Sequence, residues 1–460
     1  MKRTFSIALF LMMMFSASVL VLAQDDLPSK YDPRALKMVS RVKDQGTRGT
    51  CWSFADLSLL ESYLINKGLA NSDIDFSEEH LVDWSRRDLT GYGWNKDEKE
   101  GGNSLISSGY LSSFSGPVLE RDFPYNKTPI NDVPKNFYVI NKPYRVTDIM
   151  VLRTNSKDEI KQTILNCGAV STCMYQDFKD LASLYPQYYN RGNRTAYYYP
   201  SKPGIQFNHR VLVVGWDDNY SLENFNPENR PKSNGAWLIK NSAGTQYYDK
   251  GFMWVSYEDV IKCFSFAIAI KGAVPVENPK DIKIYQHDEY GSICDFNGYN
   301  VPLKDVRKLE TAVIYNFDSE HSNLDSIMIS SPNEGAKYKM YYVPVRNDEL
   351  ITDRDKYILL GEGKLGHRGY ISLKPDIEFK IPSGKGGILV SLDASDKNEM
   401  AYIGCEQDIF YVKDNEVKFT FKSKSVANSS FEYINGNFYL IKSENGTLVN
   451  LSIKVVAKRK

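Results

Sequence analysis

The sequence predicts an α+β chain in two parts: a half of mixed helices and strands from Leu27 to about Ile270, then an all-β sandwich from Asp281 to the end. Three observations carry this. Thr50–Lys67 places apolar residues at helical spacing on two stripes. Segments 210–216 and 236–240 are Val-rich or carry a Trp-Leu-Ile core, as strands do. After a stretch holding Pro275 and Pro279, the pattern turns into short alternating segments separated by turn signals, which suits an antiparallel sandwich.

The first element is the Thr50–Lys67 helix. Trp52, Ala55, Leu59 and Tyr63 form one stripe, Phe54, Leu57, Leu60 and Leu64 a second, so the helix is expected to be buried, with Gly68 as its stop. Ser77 precedes Glu78 and Glu79 as the N-cap of a second helix. A third runs from Lys157 to Asn166 and ends at Gly168. Tyr175–Asn208, rich in Tyr and Asn, reads as an elaborated surface loop. Strands follow at 210–216, 236–240 and 252–257. In the second half, Tyr338, Met340 and Tyr342 alternate with Lys339 and Tyr341. Segments 388–392 and 447–456 are similar, and Asn435-Gly436 marks a hairpin. The expected boundaries are a signal peptide at 1–23, a first domain at 27–271, a linker at 272–280 and the sandwich at 281–460.

A length of 460 residues is comfortable for two domains, and 42% hydrophobic with 25% charged residues allows ordinary cores. Zero formal net charge argues against a nucleic-acid partner, which selects a cationic surface. Lys2 and Arg3, the apolar run Ile7–Leu22, and Val21 and Ala23 before Gln24 form a secretory signal. The run is near the lower limit for a membrane span and no basic cluster follows it, so no transmembrane anchor is expected. The expected location is extracellular, either free or associated with the cell surface. The six cysteines are scattered and include no C-x-x-C pair, so stability is expected to come from packing rather than from bridges or zinc.

The chemistry concentrates in Asp44-Gln45-Gly46-Thr47-Arg48-Gly49-Thr50-Cys51-Trp52-Ser53-Phe54-Ala55. A thiol at a helix start faces unpaired N–H groups and the positive end of the macrodipole, which favour the thiolate. The Cys51 N–H and the Gln45 carboxamide are suited to donate to one developing oxyanion. His209, at the entrance to an apolar strand, is a candidate base for that thiol. Asn241, following Trp237-Leu238-Ile239-Lys240, is suited to accept from the far ring nitrogen and orient the imidazole. Taken singly, each has an ordinary alternative: a small buried Cys, a loop His, a turn Asn.

Together these motifs resemble the papain-like cysteine peptidases. The resemblance rests on Gln-Gly…Gly-x-Cys-Trp-x-Phe, His209 before an apolar strand ending in Gly215-Trp216, and Lys240-Asn241-Ser242-x-Gly244-Thr245. Leu27-Pro28, Asp32-Pro33-Arg34, Phe76-Ser77-Glu78-Glu79, Gly101-Gly102 and Phe123-Pro124-Tyr125 extend it over Leu27 to Tyr257. It implies catalytic Cys51, His209 and Asn241 with Gln45 in the oxyanion hole, and a helical lobe facing a barrel-like lobe across a cleft. It also implies Gly101, Gly102, Asn103, Ala169, Cys173 and Phe207 around the substrate, with an apolar or aromatic preference at the second position before the scissile bond. No cofactor is required for catalysis.

Three departures bear on this. Arg48 stands where the family has Cys, and the partner cysteines near Trp84 and Glu100 are missing, so the helical lobe's usual disulfides are expected to be absent. Ala243 stands where a Trp normally shields the His–Asn bond, leaving Tyr247 or Tyr248 as substitutes. Only Gln24–Asp26 separate the proposed cleavage point from the family-like start, so removal of a pro-domain is not expected. From Asp281 on, the chain resembles more loosely the lectin-like domain of some bacterial cell-surface cysteine peptidases. That likeness implies a cell-surface glycan or protein as ligand and admits a structural calcium ion, although Asp281, Asp288 and Glu289 read as solvated surface residues. The expected function is a secreted endopeptidase acting on protein or peptide substrates through a thioacyl-enzyme. The alternatives are a catalytically weak surface-binding protein or adhesin, and a transpeptidase on the same fold.

Overall fold

The structure is a computed structural model that describes residues 27–95, 101–126, 134, 136–192, 194–200, 207–259, 267–292, 307–413, 416–423, 429–442, 446 and 448–460. The expected signal peptide, Cys263 and Cys294 lie outside these residues.

Helix α1 (Cys51–Asn66) is buried along almost its whole length, as its two apolar stripes require, and Gly68 ends it at φ 67. Helix α2 (Glu78–Ser85) is capped by Ser77, whose hydroxyl accepts from the His80 N–H (3.0 Å). Helix α3 (Ser104–Ser112) is capped by Asn103, and α4 (Lys157–Cys167) ends at Gly168 (φ 87). A buried cation ties the segment before α1 to its neighbours: Lys43 Nζ reaches Glu61 (3.0 Å), Asp75 (2.6 Å) and Glu78 (2.7 Å).

Against the helices lie β1 (Tyr144–Leu152), β2 (Val170–Met174), β3 (His209–Asp217), β4 (Ala236–Lys240), β5 (Phe252–Ser256) and β6 (Ala267–Pro275). Their order in the sheet is β1-β6-β2-β3-β4-β5. The stretch 272–280 is not a free linker throughout. Its first residues are the end of β6, paired with β1 from Asp148↔Gly272 to Tyr144↔Pro275. The Tyr-rich segment also departs from a surface loop. It holds a short helix, Phe178–Ala182, and a strand, Ala196–Tyr197, while Tyr188, Tyr189, Tyr197 and Tyr199 are buried in the core. Tyrosine rings bury large area while the hydroxyl finds a partner, so a polar-looking composition concealed core residues.

The second half contributes β7 (Ile282–Tyr285), β8 (Lys308–Phe317), β9 (His321–Ser331), β10 (Lys337–Arg346), β11 (Gly369–Leu373), β12 (Gly384–Asp393), β13 (Glu416–Lys422), β14 (Ser430–Ile434), β15 (Asn437–Leu440) and β16 (Ile453–Arg459). One sheet contains β10-β12-β8-β14-β15, and the other β7-β16-β9-β11. Their facing sides enclose a core that includes Val313, Ile327, Met340, Tyr342, Ile388 and Val455. Asn435 and Gly436, both at positive φ, turn β14 into β15 as the hairpin signal predicts.

The second sheet does not stop at the sandwich. β11 pairs with β1 (Gly369↔Met150, Tyr370↔Ile149), so one sheet of twelve strands runs through both halves. A second junction pairs Gly93–Trp94 with β13. Tyr290, Met328, Tyr370 and Phe421 belong to the core of the first half, and Tyr290 stacks on Trp84 at 4.6 Å. The buried Arg145–Asp325 pair (3.0 Å) crosses the same boundary. Asp288, read from sequence as a surface carboxylate, is fully buried. Lys454 (2.7 Å) and the Ser452 hydroxyl (2.5 Å) compensate its charge.

Candidate active site

Cys51 is the first residue of α1. The backbone leading to it is braced against the loop after β4. Gln45 N–H donates to the Ser242 carbonyl (2.9 Å), Gly244 N–H donates to the Lys43 carbonyl (3.1 Å), and Asp44 bridges Ala243. The segments flanking Cys51 and Asn241 are therefore one backbone unit. Gly46, at φ 64, makes the turn that a side chain would disfavour.

Gln45 is held at both ends of its carboxamide. Its oxygen accepts from the Ser242 hydroxyl (2.6 Å) and its nitrogen donates to the Arg48 carbonyl (2.8 Å). An amide nitrogen carries two hydrogens, so a second remains for an incoming oxyanion.

His209 opens β3 and is buried, with Nε2 2.8 Å from Asn241 Oδ1. The same Oδ1 accepts from the Ser242 N–H (2.8 Å), which marks it as the oxygen. The ring must then donate through Nε2–H, leaving the lone pair on Nδ1. Phe178 meets the ring edge-on at 5.5 Å. Burial pushes His209 down to about 4, opposed by the bond to Asn241. Burial pushes the Cys51 thiol up, opposed by the Arg210 N–H and by the Arg210 charge.

Arg210 was not among the expected site residues. Its Nε donates to Asp56 (2.8 Å), which also accepts from the hydroxyls of Ser107 (2.6 Å) and Ser171 (2.5 Å). Asp56 sits on α1 and Arg210 follows His209, so this buried pair joins the two elements that present the thiol and the imidazole. The sequence signal was two opposite charges inside otherwise apolar runs, Arg210 directly after His209 and Asp56 on the helix that Cys51 opens.

Of the expected substrate-contacting residues, Cys173 is half-buried and receives Arg210 Nη1 at 3.3 Å. Gly102 lies against the Trp52 ring, where a Cβ would stand 2.4 Å away. Gly101 takes φ 76 beside Gly49. Phe207 is exposed two residues before His209. Asn103 spends its side-chain oxygen capping α3, and Ala169 is fully buried in the core, behind any exposed wall. The two tyrosines named as substitutes at the Ala243 position differ in exposure. Tyr247 is exposed, whereas Tyr248 turns inward and accepts from Gln176 Nε2 (2.7 Å). Gln176 Oε1 in turn accepts from Asn241 Nδ2 (3.3 Å).

A model of the papain family of cysteine proteases matches residues 27–270. The chain belongs to that family. A model of the lectin-like domain matches residues 284–457. Among papain-family relatives, it is 28% identical over 235 residues to a cathepsin L-like peptidase of Aedes aegypti, covering 50% of this chain and 59% of that one. It is 31% identical over 229 residues to the thiol protease aleurain of Arabidopsis thaliana, covering 49% and 55%. The chain thus spans little more than half the length of these curated relatives. A solved structure of the cysteine protease and lectin-like domains of Cwp84, a surface layer associated protein of Clostridium difficile, matches nearly end to end. It shows 31% identity, 94% of this chain and 89% of that one covered, and a TM-score of 0.79. The fold is a papain-like domain followed by an all-β lectin-like domain, and the papain family, to which the first half belongs, needs no cofactor for catalysis. Among the described residues no three His, Cys, Asp or Glu side chains gather as a metal site, and no helix is long and apolar enough to cross a membrane. Asp288, already neutralised by Lys454, does not fit a calcium ligand.

Proposed function

We propose that this papain-family protease is a secreted endopeptidase that hydrolyses proteins through Cys51, His209 and Asn241, with Gln45 in the oxyanion hole. The observation that carries this is the 2.8 Å bond from His209 Nε2 to Asn241 Oδ1, which leaves the lone pair on Nδ1, the nitrogen that we pair with the Cys51 thiol at the start of α1. Burial keeps thiol and imidazole neutral when each titrates alone. A proton passing from Cys51 to Nδ1 makes both charges at once. The helix terminus and Arg210 then face the thiolate, and Asn241 faces the imidazolium.

Cys51 sulfur attacks the scissile carbonyl, whose oxygen becomes the oxyanion bound by the Cys51 N–H and the spare Gln45 N–H. Collapse breaks the C–N bond, and His209 gives its proton to the leaving amine. Water, deprotonated by the same nitrogen, hydrolyses the thioester. Cys173 and Phe207 favour an apolar side chain at the second position before the scissile bond, with Gly101 and Gly102 offering backbone beside it. Arg210 behind Cys173 adds a cation that the sequence did not suggest. The likeness to a surface-layer-associated protease supports an extracellular, cell-surface location and a surface glycan or protein as ligand of the lectin-like half.

The test is turnover of casein and of a peptide library by the full chain, with and without iodoacetamide, beside Cys51→Ala. Activity persisting in folded Cys51→Ala sinks the reading. Products carrying an added amine nucleophile would indicate a transpeptidase, and an inert wild type an adhesin. A profile dominated by charged residues at the second position would reject the apolar pocket.

A further inference from the structure

Asn241 must present its oxygen, not its nitrogen, to His209. A carboxamide is nearly symmetric in shape, so what surrounds its two ends decides its orientation. On the oxygen side, the Ser242 N–H contributes. On the nitrogen side, the partner among the described residues is Gln176, whose Oε1 accepts from Asn241 Nδ2 at 3.3 Å. Gln176 is itself buried and oriented. Its Nε2 donates to the Tyr248 hydroxyl at 2.7 Å while its oxygen accepts from Asn241, so the amide is held at both ends. Its backbone is clamped at both polar groups by the side chain of Asn208, the neighbour of His209. The Gln176 N–H donates to Asn208 Oδ1 (2.8 Å) and Asn208 Nδ2 donates to the Gln176 carbonyl (2.9 Å). Tyr248, Gln176, Asn241 and His209 thus form one continuous set of hydrogen bonds, which the Ser242 N–H orients at Asn241.

Resting on the assignment of Cys51, His209 and Asn241, we propose that Gln176 and Tyr248 are positioning residues of this protease, selecting the Asn241 orientation that holds the productive His209 tautomer. Without Gln176, the Asn241 amide loses its acceptor in a buried site, and the penalty for turning over shrinks. Turned over, its NH2 faces the Nε2 of His209. The ring then carries its proton on Nδ1, where it has no lone pair for the Cys51 proton.

The experiment compares Gln176→Leu, Tyr248→Phe and the double variant with wild type in the full chain, alongside Asn241→Ala and Cys51→Ala. Expected for Gln176→Leu is a kcat lowered about 5- to 10-fold, the worth of one buried hydrogen bond, with KM kept. The alkaline limb of kcat/KM should move to lower pH, because a less well-held imidazolium gives up its proton sooner. The pH dependence of iodoacetamide alkylation at Cys51 should move with it, independently of substrate. Tyr248→Phe keeps the ring and removes the hydroxyl, so it should lose less, and the double variant should be no worse than Gln176→Leu. An unchanged kcat and pH profile in folded Gln176→Leu, or additive losses in the double variant, overturns the proposal. If Gln176→Leu does not fold, an unchanged Tyr248→Phe overturns it. Activity surviving in Asn241→Ala or Cys51→Ala would instead overturn the triad assignment.

Discussion

At the scale of single residues, the Gln45 carboxamide has one N–H committed to the Arg48 carbonyl and the other left for an oxyanion. Gln45→Ala should therefore lower kcat by roughly 10²–10³ with little change in KM, read by steady-state kinetics. His80 makes the opposite kind of prediction, one about stability. Its ring is stacked on Phe137 at 4.3 Å, with Nδ1 2.8 Å from the Tyr110 hydroxyl and Nε2 3.0 Å from the Phe137 carbonyl. Burial lowers it to about 4. The unfolded chain takes up that proton near pH 6.5 and the folded one only near 4. Stability is therefore full above about pH 6.5 and is lost as pH falls toward 4, by about 3 kcal/mol for this residue. His209 moves in the same direction. Urea unfolding at pH 7 and 4.5 checks this: His80→Gln should show a smaller acid loss than wild type. The sequence revealed Cys51, Gln45, His209 and Asn241 because local strings surround them. Gln176 and Tyr248 stood in no string, since their role arises where two loops meet.

Among elements, the loop before α1 illustrates how one device replaces another. Arg48, at the position where the family resemblance puts a Cys, is buried and paired with Glu79 on α2 at 2.6 Å, with its guanidinium 5.1 Å from the Tyr125 ring. This pair ties the loop to α2 without a covalent bond. Arg48→Ala should cost about 3–5 kcal/mol, because it strands a buried carboxylate. Pairing it with Glu79→Leu should recover part of that loss in thermal melts. Helix and strand positions were legible from periodicity: the Thr50–Lys67 and Lys157–Asn166 helices and the 236–240 strand lie within a residue or so of their observed ends. The Tyr175–Asn208 segment was not, since its tyrosines carry no periodic pattern and their burial depends on distant partners. Among the described cysteines Cys51, Cys167 and Cys173 are free but Cys405 is disulfide-bonded, which corrects the expectation that bridges play no part in stability.

For the whole molecule, the boundary between the halves is built like an interior. Gly109 on α3 and Gly291 touch backbone to backbone: a Cβ on Gly109 would stand 1.9 Å from the Tyr290 carbonyl oxygen. Neither side is a flexible side chain, so the strain cannot be relieved locally. Gly109→Ala should lower Tm by several degrees or split a single unfolding transition in two, as scanning calorimetry would show. The sequence displayed two halves through a change of pattern. It did not display their joining, because the pairing of β11 with β1 links residues 220 or so apart in the chain through backbone groups that leave no side-chain signature. That shared sheet has a bearing on how the protease tolerates its own chemistry. Residues 276–278 are all that separates the end of β6 from the 3-10 turn at Pro279, a tether short enough to hold the halves at a very high effective concentration. A cut there would turn a unimolecular encounter into a bimolecular one. The lectin-like half would still leave only as fast as the paired strands and the stacked Trp84–Tyr290 rings let go, so a nicked enzyme should migrate as two bands when denatured and reduced and as one particle when native.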